Sequence, residues 1–294
     1  MRPLLERLTS GGVLVGDGAM GTLLFERGLK PGEAPEAATL SHRYVLVEIT
    51  AAYVAAGADL VETNTFGASP LKLALSGLEE RLVTLNVEAV RIAREVAGSR
   101  AYVIGSCGPS GRLLEPYGDT EAVAVYDSFQ AQVAVLADEG VDGIFVETMT
   151  DLGEAKLAVT AVKDTWPEMP VAALMTFDPT PRGFFTIMGV SVEAAAEALA
   201  DAGADAVGSN CGNGIEHMIE IAAEFRRHTD LPLVIQPNAG LPRTTNGKIV
   251  YDETPEFMAE RARELVRHDV SVIGGCCGTT PEHIAAVRKV VDGG

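Results

Sequence analysis

"AGADLVETN", residues 56–64, reads as a helix ending and a strand beginning with almost nothing between them. Gly57, just past the last helical residue, can take the left-handed conformation without a Cβ penalty, which stops the helix and lets the strand start at once. The construction recurs as "AGADAVGSN" at 202–210 and as "EGVDGIFVET" at 139–148. Tight helix-to-strand joints repeated along a chain point to successive βα units and a parallel sheet.

Working outward, short β-branched runs alternate with longer Ala-, Leu- and Glu-rich amphipathic stretches. The strand candidates are "VLVGD" (13–17), "DLVETN" (59–64), "AYVIGS" (101–106), "GIFVET" (143–148), "VAALMTF" (171–177), "AVGSNC" (206–211), "LVIQPN" (233–238) and "VSVIGGC" (270–276). A helix can follow each, and eight is the number that closes a (β/α)8 barrel. An open doubly wound sheet uses the same units but needs a Gly-rich phosphate fingerprint after an early strand, and "GDGAMGT" (16–22) fits that pattern only loosely. The expected fold class is therefore α/β, a single (β/α)8 TIM barrel over residues 1–294. The segments after strands, at 18–41, 107–119, 178–190 and 239–253, are long and rich in Gly and Pro, so the elaborate face is the C-terminal one, where barrel active sites lie.

Composition narrows the partners. The 294 residues are 47% hydrophobic, enough for a large core, and carry a net charge of −18, which argues against nucleic acid and anionic membrane surfaces. The acids are scattered along helical stretches such as "EAAAEALADAGAD", as on a solvated outer face. No run approaches the roughly 20 apolar residues of a membrane span. Glu6 and Arg7 interrupt the apolar N-terminal stretch, a poor signal peptide. A cytoplasmic protein is expected, in which four cysteines stay reduced and serve as buried, catalytic or metal-binding groups.

In a barrel the residues at the strand ends share one mouth. Those residues are Asp17, Thr63 and Asn64, Ser106 and Cys107, Glu147 and Thr148, Cys211, Asn238, and Cys276 with Cys277. Three cysteines thus meet on one side, with Asn238 on the strand between them. Tetrahedral Zn2+ with Zn–S near 2.3 Å needs sulfurs about 3.8 Å apart and, with three protein ligands, keeps one position open for chemistry. Two other readings stand beside zinc. The Gly-rich "GGCCGTTP" turn could bind phosphate, with Thr280 as N-cap and Pro281 at the first helical position, or the cysteines could be small buried hydrophobes. Cys107 reads as inert. Asp17 and Glu147 could be a glycosidase pair, but there is no acid at the end of the seventh strand and aromatics are only 5%, so they fit the binding of an amino group better. All five histidines, His42, His217, His228, His268 and His283, fall in helices or loop edges and read as surface residues, leaving a site without an imidazole base.

Seven segments in order, "GDGAMGT" (16–22), "ETNTFGAS" (62–69), "SCGPSG" (106–111), "VETMTDLGEAKLA" (146–158), "GSNCGNG" (208–214), "QPNAG" (236–240) and "GGCCGTTPEHI" (274–284), resemble the homocysteine S-methyltransferase family. Within it they are similar to the N-terminal homocysteine-binding domain of cobalamin-dependent methionine synthases. The resemblance implies zinc held by Cys211, Cys276 and Cys277, with Asn238 at the fourth position when substrate is absent. It implies Asp17 and Glu147 on the homocysteine amino group, and backbone amides around Gly105 and Ser106 on its carboxylate. L-homocysteine is then the substrate and methionine the product.

The chemistry agrees with that resemblance. An alkyl thiol, with a pKa of about 8.5, is mostly protonated at neutral pH, and zinc holds it as the nucleophilic thiolate. The 294 residues include no folate, cobalamin or reactivation domain, which leaves the methyl donor open between a separate corrinoid or folate protein, S-methylmethionine, S-adenosylmethionine and betaine. The alternative function is a non-catalytic barrel that holds homocysteine or zinc and works only in complex with a methyl-carrier protein.

Overall fold

The structure, a computed structural model, describes residues 1–30, 32–245 and 248–293. Eight parallel strands form the barrel: Leu14–Val15, Leu60–Glu62, Tyr102–Cys107, Gly143–Met149, Val171–Met175, Ala206–Asn210, Leu233–Gln236 and Val272–Ile273. They are called the first to the eighth strand below. From the second to the eighth, each pairs with its neighbour in sequence, and the first pairs with the eighth (Leu14 with Val272). Each is followed by a helix, from Arg43–Ala55 after the first to Pro281–Asp292 after the eighth. The expected barrel is observed; six of its strands are one to five residues shorter than the sequence runs because their ends turn into loops, the third is as long as its run, and the fourth is one residue longer.

The expected helix stops are present. Gly57, Gly140 and Gly203 have φ of +96°, +77° and +97° and follow the helices Arg43–Ala55, Ala122–Asp138 and Val192–Asp201. The aspartate two residues on has a use that the pattern alone did not reveal. Asp59, Asp142 and Asp205 each donate their N–H to the carbonyl of Val15, Val103 or Val171 and accept that residue's N–H on a carboxylate oxygen, at 2.7–2.9 Å throughout. Each also pairs with a cation, Arg288, Arg94 and Lys163 respectively. Between the first and second strands, where no ladder forms among the described residues, the Asp59 clamp and the Glu62 N–H on Asp17 Oδ2 (2.9 Å) close the barrel.

Because side chains alternate along a strand, every second one enters the barrel. Near its N-terminal end these are apolar, including Leu14, Leu60, Phe145, Leu174 and Val234, and the helix Leu4–Thr9 plugs the bottom with Leu4 and Leu8. The outward set, with Val61, Val103, Val146 and Ile235, packs against the helices. Near the mouth the inward positions become polar: Glu62, Ser106, Glu147, Asn210 and Gln236. Two short antiparallel hairpins, Asp178–Thr180 with Gly183–Phe185 and Arg243–Thr245 with Lys248–Val250, rise from the loops after the fifth and seventh strands. The sequence reading assigned these stretches to loops. Among the described residues they make no ladder with the barrel. Of the long loops expected from the sequence, Pro31 and Asn246–Gly247 lie outside the described residues.

Asp59→Ala removes the acceptor for Val15 N–H and the partner of Arg288 at the closing seam. The expected loss is about 1–3 kcal/mol, read as a lower urea midpoint with unchanged slope.

Candidate functional site: a thiol cluster facing three acids

Cys211, Cys276 and Cys277 come together at the mouth with their sulfurs within 4.8 Å of one another, and Cys211 Sγ lies 3.9 Å from Cys277 Sγ. Backbone conformation aims them. Cys211 follows the sixth strand in the left-handed region (φ +59°), uncommon for a residue with a side chain, and its N–H donates to Gln236 O at 3.1 Å. Cys276 N–H donates to Pro237 O, and Cys277 O accepts Ala239 N–H. Gly278 has φ +80° and lies under the Tyr251 ring, where an added Cβ would come 2.2 Å from Tyr251 Cγ. Tyr251 and Cys277 act on each other: the phenol favours the Cys277 thiolate, and burial and the Cys277 charge raise the phenol.

The loops that carry these groups are tied together. The Glu253 carboxylate accepts Ile215 N–H (3.2 Å) at the start of the helix after Cys211. Glu253 N–H donates to Ala239 O, next to Asn238, and Glu253 O hydrogen-bonds His283 Nε2 at 2.9 Å. His283 and Thr280 form the capping box of the last helix, with Pro281 in its first turn as the sequence suggested. His283 is therefore buried, which corrects its reading as a surface residue: its ring joins two loops. His42, His217, His228 and His268 are half-buried rather than fully exposed.

The three thiols act on one another's protonation. Hydrogen bonds from Cys211 and then Cys276 pull Cys277 down to about 3, so it carries the negative charge. The Cys276 contact lowers Cys211, but its bond to Cys277 and its burial outweigh this and leave it at about 11. Cys276 is raised by its bonds to Cys211 and Cys277 and by burial. The geometry fits zinc: the 3.9 Å separation matches the ~3.8 Å of two thiolates on one tetrahedral ion. Beside them, Asn238 is 3% exposed and its Oδ1 has no partner, an acceptor lacking a donor or a cation.

Across the mouth stand Asp17 (4% exposed) and Glu147 (6%). Glu147 accepts the Ser106 hydroxyl on Oε1 and Asn210 Nδ2 on Oε2, the latter at 2.9 Å. Asn210 also binds Thr148 through Thr148 N–H (2.7 Å) and Thr148 Oγ1 (2.9 Å). A third acid, Glu62, faces Glu147 and accepts Gln236 Nε2 at 2.7 Å. Burial, then the charge of Glu62, holds Asp17 and Glu147 well above the usual carboxylate range, and burial raises Glu62. Among the described residues, no lysine, arginine or histidine is among the groups acting on these acids.

The amides expected to take a carboxylate are otherwise engaged. Ser106 N–H donates to Thr63 Oγ1 at 3.2 Å. Gly105 sits inside the ladder opposite Ile144, with its Cα turned toward Leu136 in the helix layer. What Ser106 brings to the mouth is its hydroxyl. Cys107 is fully buried, and burial followed by the charge of Glu147 keeps its thiol protonated, in line with an inert role. Glu62 was passed over in the sequence although it carries a signal: "VET" at 61–63 repeats as "VET" at 146–148, so the two glutamates hold equivalent places on the second and fourth strands. Asn210 and Gln236 lie inside "GSNCGNG" and "QPNAG", close to the Cys211 and Asn238 that were singled out, whereas Tyr251 lies in none of the quoted segments.

A parallel barrel whose mouth sets a cluster of thiols against a cluster of acids is the class of protein that fold and site define. The chain matches the homocysteine S-methyltransferase family over residues 14–291 and belongs to that family. It is 36% identical over 313 aligned residues to the methionine synthase of Mycobacterium leprae, covering 99% of this chain and 25% of that protein. With the methionine synthase of Mycobacterium tuberculosis it shares 36% over 298 residues, covering 95% and 24%. The chain thus spans about a quarter of the length of these relatives. Among solved structures its fold is similar to that of the homocysteine methyltransferase MmuM from Escherichia coli, at 24% identity. The TM-score is 0.80 for the metallated form, with 98% and 99% of the two chains covered, and 0.74 for the apo form. No helix among the described residues is long and apolar enough to cross a membrane.

Replacing Cys211, Cys276 or Cys277 singly by Ser should reduce bound zinc from about one ion per chain to a small fraction of that by elemental analysis, whereas Cys107→Ser should leave it unchanged.

Proposed function

We propose that this chain binds L-homocysteine across the mouth of its barrel and transfers a methyl group to the sulfur, giving methionine. Membership of the family supports the reaction class. One observation carries the reading: a thiol cluster with an unpartnered amide oxygen and an acid cluster with no cation beside it among the described residues share one mouth. A substrate that answers both has a thiol at one end and an ammonium at the other.

Cys211, Cys276 and Cys277 would hold zinc, with Asn238 Oδ1 able to fill the fourth position, and the ion when bound supplies a substrate sulfur that stays an electron-rich thiolate at neutral pH. Asp17 and Glu147 take the ammonium. Glu147 is fixed for that role by Ser106 and Asn210, and Asn210 is the residue before Cys211. The two anchors therefore share one strand end, which fixes the sulfur relative to the amino group and presents it to a methyl carbon entering from the open side. The thiol proton leaves to solvent, so the mechanism asks for no histidine.

The test joins binding to turnover. Zinc-loaded protein should bind homocysteine with release of the thiol proton, and zinc-free protein should bind it far more weakly; equal affinity in both forms would overturn the reading. Glu147→Gln should weaken homocysteine about tenfold or more while leaving zinc content unchanged, because it removes a charge-assisted bond worth about 1.5–3 kcal/mol. Incubation with S-methylmethionine, S-adenosylmethionine, betaine or a methylated corrinoid or folate carrier protein, followed by assay for methionine, identifies the donor. Turnover with a small molecule alone excludes the non-catalytic barrel subunit.

A further inference from the structure

An α-amino acid brings a carboxylate as well as an ammonium, and the amides of Gly105 and Ser106 expected to take it are held in the ladder and by the Thr63 hydroxyl. The end of the fourth strand offers another donor. Its register with the fifth strand shifts between Val146 and Met149, and within that break Thr148 takes the left-handed conformation (φ +57°). A β-branched residue rarely occupies that region, and its surroundings must hold it there.

Asn210 holds it. Its Oδ1 accepts Thr148 N–H at 2.7 Å, which fixes the orientation of the amide. Nδ2 is then the donor, and its two protons go to Glu147 Oε2 and Thr148 Oγ1, each at 2.9 Å. Thr148 Oγ1 is the acceptor in that contact, so its own proton is left for another partner. Among the described residues Thr148 Oγ1 has no hydrogen-bond partner besides Asn210 Nδ2. The neighbouring hydroxyls are used within the protein. Thr65 donates to Ser106 O (2.8 Å), so Thr63 donates to Thr65 (2.6 Å), and Ser106 donates to Glu147. Asn210 is fully buried, whereas Thr148 is half-buried and within reach of a ligand.

We propose that Thr148 is a specificity residue for the substrate's carboxylate: its hydroxyl donates an O–H···O bond to that group while Glu147, the residue before it, takes the ammonium. This rests on the homocysteine reading above. Both groups of an α-amino acid hang on one carbon, so their partners must stand side by side. Consecutive strand residues point to opposite faces, and in a regular strand Thr148 would face the helices when Glu147 faces the mouth. The left-handed turn and the Asn210 amide bring both to the same side. A neutral donor suits this place, because a lysine or arginine there would pair with the acids and occupy the site meant for the substrate's own cation. The bond also makes the mouth select amino acids over amines that carry a thiol, which the acids and the sulfur cluster alone would not do.

The experiment compares L-homocysteine with 3-aminopropane-1-thiol, which keeps the thiol and the amino group at the same spacing and lacks the carboxylate. Affinities are measured by calorimetry on the zinc-loaded wild type, Thr148→Val and Thr148→Ser. Valine keeps the β-branch, and the contact it takes from Asn210 is missing for both ligands alike, so the ratio of their affinities isolates the carboxylate. The wild type should prefer homocysteine. Thr148→Val should weaken homocysteine about tenfold or more and the aminothiol less than about twofold, as expected for one hydrogen bond to a charged group. Thr148→Ser, which keeps the hydroxyl, should bind homocysteine nearly as the wild type does. Equal weakening of both ligands by Thr148→Val would mark a merely structural role and overturn the proposal, as would unchanged homocysteine affinity. A wild type that binds the two ligands equally leaves the homocysteine reading standing and overturns the role of Thr148. Absence of homocysteine binding to the wild type overturns both.

Discussion

Closing a parallel sheet on itself admits only every second side chain to the interior, and the remainder of this molecule follows from that constraint. Two strand residues set one depth level, so a strand with an apolar inward residue low down can carry a polar one above it without disturbing the core. The second strand does this with Leu60 and Glu62, the fourth with Phe145 and Glu147, the seventh with Val234 and Gln236. The apolar level makes the barrel stable, and the level above it can then collect polar groups that no single strand could bury. The acids can sit so close because the barrel, rather than any attraction between them, holds their backbones.

The two halves of the mouth are joined by backbone as well as by side chains. Gly275 N–H donates to Asp17 O at 2.8 Å, so the residue before the adjacent cysteines is fixed to the aspartate across from them. On the other side Asn210 connects Cys211 to Glu147. Thr279 strengthens the first link: its hydroxyl donates to Cys276 O (2.7 Å) and accepts Ala19 N–H (3.1 Å), and Tyr53 hydrogen-bonds both Ala19 O and Thr279 O. Gly18 and Gly275 leave room for that threonine, since a Cβ on either would come within 2.6 Å of its Oγ1. The distance between sulfur and acids is thus a property of packed backbone, which suits a site that must hold both ends of one small molecule.

What could be read from the sequence was what depends on short stretches of chain. The helix-stopping glycines and the β-branched runs announce themselves within a few residues, which is why all eight strands were found. The cysteines were legible because they fall at strand ends in a closed count, where position alone brings them to the mouth. Glu62 escaped because whether a strand-end residue faces in or out depends on register, and only comparison with the "VET" around Glu147 would have revealed it. His283 was misjudged for a related reason: its partner, Glu253 O, is 30 residues away and on another loop. The amides of Gly105 and Ser106 were credited with a free role that the Thr63 hydroxyl and the ladder had already taken.

The chemistry of the mouth works against the stability of the fold. Three acids gathered at the mouth disfavour the ionised state, and the Cys277 thiolate is favoured by Cys211, Cys276 and Tyr251 beside it. A carboxyl whose pKa is raised on folding binds its proton more tightly in the native state, so its contribution to stability falls as pH rises above the unfolded value near 4.5 toward the native one. A pair of apolar side chains at Glu62 and Glu147 would remove that penalty, and with it two of the three carboxyl groups in the mouth that could answer an ammonium. The clamps at the opposite end of the barrel, where Asp59, Asp142 and Asp205 each have a cation, show the same residue type arranged for stability instead. The contrast separates the two ends of one barrel: acids with partners at the base hold strands together, and acids without partners at the mouth remain open to a cation from solution.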